Sequence, residues 1–87
     1  METDEYSITL GRELNLCRKL AARIGREIEA LETRHGRSTE SVIAASIRGE
    51  LPADNAEYAE WVERHKELVL WRERAQEYER LYRGMRR

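Results

Sequence analysis

Two stretches of this chain carry the same apolar spacing, and that pairing restricts the fold more than anything else in it. After Leu10, the residues Leu14, Cys17, Ala21, Ile24, Ile28 and Leu31 follow at alternating steps of four and three. On a helix, such steps fall along one seam. After Trp61, the residues Leu68, Trp71, Ala75, Tyr78, Tyr82 and Met85 repeat the pattern, with Arg64 as the interruption. The second seam holds both tryptophans and two of the four tyrosines, and aromatic rings bring the largest buried area per residue to a packed contact. Matching seams predict an all-α fold, a long antiparallel helical hairpin.

The punctuation between the seams adds a short helix in the connection. Residues 1–7 read as a polar lead, with Ser7 placed to cap a helix over about 8–35. Gly36 then stands where a left-handed residue ends a helix, while Gly11 and Gly25 weaken it from inside. Ser38 or Thr39 can cap a second helix over about 39–48, closed by Gly49, with Val42, Ile43 and Ile47 as its apolar side. Leu51-Pro52 blocks continuation, because a residue before proline is pushed away from helical angles. Asp54 or Asn55 caps a third helix over about 55–83, with Glu57 near the N3 position of a capping box. Glu60 with Arg64 and Glu79 with Arg83 are correctly ordered i, i+4 pairs on it. No repeat or linker divides the 87 residues, so they read as a single helical domain.

Length then bears on partners. Rods of roughly 40 Å in a chain this short leave much apolar surface uncovered by a hairpin alone. Charged residues make up 38% of the chain, yet the net charge is only -1 and the apolar residues are periodic, which argues against disorder. Leu68-Val69-Leu70-Trp71 is the most informative local run. At about 100° per residue these four residues cover roughly 300° of a helix, more than one neighbour can shield. Leu16 and Leu20 widen the face of the first helix, as Tyr58, Val62 and Val69 widen that of the third. Two readings follow. In one, the chain is a non-catalytic protein-binding module whose partner-binding residues are Tyr58, Trp61, Val62, Leu68, Val69, Leu70 and Trp71. In the other, it is a structural homodimer or assembly adaptor, a dimeric four-helix bundle or coiled coil in which those residues are core.

Charge is zoned along the hairpin. Arg12, Arg18, Lys19, Arg23 and Arg26 gather at the open end with Arg72, Arg74, Arg80, Arg83, Arg86 and Arg87, and acids gather at the turn end. Arg12, Lys19 and Arg26 recur every seven residues, a spacing a phosphate backbone could meet, although acids dilute the same end and exterior helix charge is usually solvated. A third reading is a metal-binding carboxylate bundle. Glu32 and His35 form the Glu-x-x-His pair that di-iron bundles use, but the chain lacks a second such pair, because Val62 stands three residues before His65. No metal or other cofactor is therefore expected.

Catalysis is not expected either. Cys17, the single cysteine, falls on a seam, where a thiol behaves as a small apolar group, and a disulfide framework is impossible within the chain. His65 reads as a polar residue at the core or its rim. Ser38, Ser41 and Ser46 have no histidine and acid arranged about them, and no glycine-rich phosphate loop is present. No run approaches the roughly 18 apolar residues of a membrane span, and the start METDEY is acidic where a secretory signal is basic and then apolar. The expected compartment is the cytoplasm.

From Arg34 to Trp61 the chain reads RHGRSTESVIAASIRGELPADNAEYAEW. Gly36, Ser38, Glu40, Gly49, Glu50, Leu51, Asp54, Tyr58, Glu60 and Trp61 give it a pattern that resembles small prokaryotic helical antitoxin-like proteins of toxin-antitoxin pairs. Ile43 and Ile47 stand where an aromatic residue and a tryptophan are often seen, and Pro52-Ala53 precedes a single acid. The resemblance implies an inhibitor that acts by binding a toxin, with the apolar band of the third helix as the contact.

Overall fold

The structure, a computed structural model, describes residues 5–84. Three helices follow one another: α1 (Glu5–His35), α2 (Thr39–Ile47) and α3 (Ala56–Gly84). The fold is all-α, a long helix and a long C-terminal helix lying against each other with a short helix in the connection. Met1 to Asp4 of the expected polar lead, and Met85, Arg86 and Arg87 at the other end, lie outside the described residues.

The α1 seam is the spine of the core. Leu10, Leu14, Cys17, Ile24, Ile28 and Leu31 are buried, and Ala21 is half-buried in the same row. Ser7 does not cap this helix: it lies inside α1, which is already helical at Glu5, the first described residue. At the other end Gly36 has φ +62°, and the N–H groups of Gly36 and Arg37 both donate to the Glu32 carbonyl, at 2.8 and 3.3 Å. This left-handed termination turns the chain toward α2.

Ser38 caps α2: its hydroxyl oxygen accepts from the Ser41 N–H at 3.1 Å. Gly49, at φ +69°, ends it with two bonds, Gly49 N–H to the Ser46 carbonyl and Glu50 N–H to the Ala45 carbonyl, the two-bond closure a left-handed glycine permits. Val42 and Ala45 are the buried residues of α2. Ile47, expected on its packed side, is 82% exposed instead. One turn beyond Val42 the inward position falls to Ala45, three residues on, and Ile47 is carried round toward solvent.

Asn55, not Asp54, caps α3, accepting from the Glu57 N–H at 3.0 Å. Glu57 is thus the second helical residue rather than the third, and its carboxylate forms no capping box but reaches back to Arg34 and His35 on α1. Arg64 likewise pairs with Glu27 across the helices and with Glu67 on its own, both at 3.1 Å, rather than with Glu60. The Glu79 to Arg83 pair forms as expected, at 2.7 Å.

Together the helices make a plank of 57 × 21 × 16 Å with a radius of gyration of 17.1 Å, against about 12 Å for a compact domain of this length. The contiguous core, Ile24, Ile28, Leu31, Val42, Trp61 and Leu68, sits entirely in the half near the turns. There α2 adds a third element. Toward the open end the molecule is two helices thick.

Candidate protein interface

At the closed end a chain of polar contacts binds all three helices. The Trp61 Nε1–H donates to Thr39 Oγ1 at 3.0 Å, and the Thr39 hydroxyl donates to Glu32 Oε2 at 2.7 Å. The Thr39 backbone N–H donates to the same carboxylate oxygen at 3.0 Å. Those two donations hold the Glu32 carboxyl below its usual range, the hydroxyl being the larger cause and the backbone N–H the next. Glu57 Oε1 accepts from His35 Nε2 at 2.7 Å, and the imidazole lies against the Tyr58 and Trp61 rings at centroid distances of 4.9 and 5.6 Å. Arg37 stands over the other side of the cluster, 5.6 Å from the Tyr58 ring. Glu32 and His35, adjacent on the helix as a metal-type pair, are thus committed to different partners, Thr39 and Glu57. Among the described residues no group of three or more His, Cys, Asp or Glu could hold a metal ion.

This arrangement sorts the sequence-derived partner residues. Trp61 is fully enclosed and Leu68 is buried, both within the chain's own core. Tyr58, Val62 and Trp71 are partly buried against that core. Val69 and Leu70 are exposed. The four residues Leu68 to Trp71 do point in different directions, as the helical step requires. Leu68 turns inward, Trp71 stays at the seam, and Val69 and Leu70 leave on opposite flanks.

The two flanks differ because α2 covers part of one. It reaches the molecule through Thr39, Val42 and Ala45, on the side carrying Glu32 and Tyr58. On the Leu70 side the grooves are lined by α1 and α3 alone. A groove there of about 450 Å³ brings Leu20, Leu70 and Trp71 together, with Glu27, Arg64 and Glu67 at its turnward edge. Leu16 and Leu20 line the adjoining concavity on α1. Leu16 is 49% exposed and Leu70 42%. Arg74 lies over Trp71 at 5.1 Å, so its guanidinium roofs the indole while remaining at the surface.

The candidate site is therefore an apolar patch of Leu16, Leu20, Leu70 and Trp71 in the middle of one broad face, edged by charge. Leu16 and Leu20 were visible in the sequence as residues off the α1 seam. The meeting of Leu20 with Leu70 depended on helix register, which spacing within one helix does not report. The basic stripe Arg12, Lys19 and Arg26 is exposed on α1, and Lys19 and Arg26 edge the concavity that Leu16 and Leu20 line.

Cys17 is buried on the α1 seam, and burial together with the nearby Glu13 carboxylate pushes its thiol pKa up, Arg74 pulling the other way. A raised pKa suppresses the thiolate that a nucleophile needs. Among the described residues, no helix is long and apolar enough to cross a membrane. Against known family models, curated proteins and solved structures, the chain finds no match.

Proposed function

We propose that this chain is a non-catalytic protein-binding module, and that it binds through the face carrying Leu16, Leu20, Leu70 and Trp71. The observation that carries the reading is that patch, half-exposed at the centre of a plank two helices thick. A monomer gains nothing from holding two leucines and a tryptophan edge in water, whereas a helical surface laid on them would bury apolar area at roughly 25 cal/mol per Å². Val69 and Tyr58 belong to the other flank and are secondary to this face, and Trp61 and Leu68 support it from within. The class of function is that of an antitoxin-like or regulatory protein working in the cytoplasm by occupying a partner's surface. Coiled-coil packing, with leucines interleaved between antiparallel helices, is the geometry such a face suits. The basic stripe is secondary, because acids interleave with it.

Site-specific photo-crosslinking in cells tests this. A benzophenone side chain at position 70 should yield crosslinks to protein, while the same group at exposed Glu40 of α2, on the other flank, should yield few. Equal or absent crosslinking at both positions overturns the reading.

A further inference from the structure

We infer that the occupant of this face is a second copy of the same chain, laid on it end for end. The inference rests on the proposed protein-binding role of the patch and names its partner from charge. Residues 27–67, the turn end, hold ten acidic and five basic side chains, whereas residues 5–26 and 68–84, the open end, hold nine basic and five acidic. The near-neutral chain is thus a rod with an excess of five negative charges at one end and four positive at the other. A copy running the same way sets like ends together; a reversed copy sets each acidic end on a basic one.

The patch itself has the same order at short range. Along α1, from the open end, stand Glu13, Leu16, Leu20 and Arg23; along α3, from the turn end, stand Glu67, Leu70, Trp71 and Arg74. Each helix therefore reads acid, apolar, apolar, base. A two-fold axis crossing the plank at Leu70 lays α3 on α3 in reverse, so Leu70 and Trp71 meet their own copies and Glu67 approaches Arg74. This is the self-complementarity that an isologous contact requires. Area is sufficient as well: taking even the smaller transverse extent, a face of 57 by 16 Å projects about 900 Å², against the roughly 800 Å² per partner of a stable interface. With α2 on the other flank, no described helix other than α1 and α3 lines this face.

The test combines mass with three engineered cysteines in the full chain. Sedimentation equilibrium should give about 20.6 kDa, twice the 10.3 kDa of the chain. Under mild oxidation L70C, near the axis, should form a disulfide with its own copy. E60C and L81C, on the same flank and equidistant from the axis, should each fail alone and form a mixed disulfide when combined. Wild type is the control, since Cys17 is buried. L70K should retain its helix content by circular dichroism and associate at least about tenfold more weakly, from the loss of a buried leucine on both copies. Raising the salt should weaken association, because opposed charges hold the ends.

Different failures separate the two claims. A monomer at about 100 μM, or L70K associating as well as wild type, overturns the second copy. E60C linking to itself, or association tightening with salt, overturns the reversed order. If position 70 crosslinks in cells to a protein of another mass while the pure chain stays monomeric, the self-association fails and the protein-binding face stands. If position 70 crosslinks to nothing, both fall.

Discussion

Thr39→Val is the substitution that asks most of the closed end. Valine keeps the shape of threonine and the backbone N–H that reaches Glu32, and removes one oxygen. That oxygen accepts from the indole N–H of Trp61, a side chain with no solvent exposure, at 3.0 Å, and its own proton goes to the Glu32 carboxylate at 2.7 Å. Stranding a buried N–H costs about 1–3 kcal/mol, and losing a bond to a charged acceptor costs more. Glu32 is only partly buried and rehydrates, so the second cost is taken at its low end. The sum is about 2–4 kcal/mol, a large share of the order of 10 kcal/mol available to a chain of this size. The assay is urea unfolding at one fixed chain concentration, because association adds to apparent stability, with Thr39→Ser as the control that keeps the hydroxyl and should cost about 1 kcal/mol or less. In the wild type, Glu32 titrates below its unfolded value. Its contribution is therefore complete above the unfolded pKa and is lost as pH falls through the folded one. Thr39→Val should flatten that acid loss. If valine and serine unfold within about 0.5 kcal/mol of each other, the polar chain does not hold the three helices and the reasoning is wrong.

Glycine positions should divide by sign. Gly36→Ala and Gly49→Ala, at φ +62° and +69°, should each destabilise by about 1–2 kcal/mol, whereas Gly25→Ala, with nothing within 4 Å of an added Cβ, should stabilise by about 0.5–1 kcal/mol; urea midpoints check all three. Cys17, buried with a raised thiol pKa, should alkylate at pH 8 far more slowly than a free thiol until urea unfolds the chain, and rapid native labelling would place it at the surface instead. Hydrogen exchange should be slowest in amides of residues 24–31 and 61–68, which carry the contiguous core, and faster over 75–84; a uniform profile would contradict the uneven packing.

Periodicity made the hairpin legible because both seams bury what they show. The α1 series from Leu10 to Leu31 needed no tertiary knowledge, and Gly36 and Gly49 announced their left-handed turns by being the residues that adopt them without strain. Errors came where local alternatives were nearly equal. Ser7 could cap only if the helix began after it, and the helix runs through it instead. Ile47 looked inward by composition, but a helix of nine residues has room for one inward pair, Val42 and Ala45. The Trp61, Thr39 and Glu32 chain was not legible, since it joins residues brought together by two tight turns, and no spacing rule links them. The candidate face was half legible. Leu70 and Trp71 announced too wide an apolar surface, yet only the register of α1 on α3 put Leu20 beside them and turned Val69 away.

The two ends of the plank are unequal in a way that bears on what the face is for. Near the turns, three helices enclose Trp61 and Val42, and Glu32 and Glu57 tie α1 to its neighbours. Toward the open end, Leu10, Leu14 and Cys17 are buried from the α1 side, while Ala75, Tyr78 and Tyr82 opposite them are half-covered. A hairpin built like this is held firmly at one end and thinly at the other. Reversal of a second copy lays the firm half of each chain along the thin half of the other, and the charge order favours the same direction. Burial at Leu16, Leu20 and Leu70 would then stabilise the half that the chain's own core does least to hold, so association and completion of the fold become one process. Any other protein able to replace the second copy must bring the same two things, an apolar helical edge and charges that run from basic to acidic against the chain's own order.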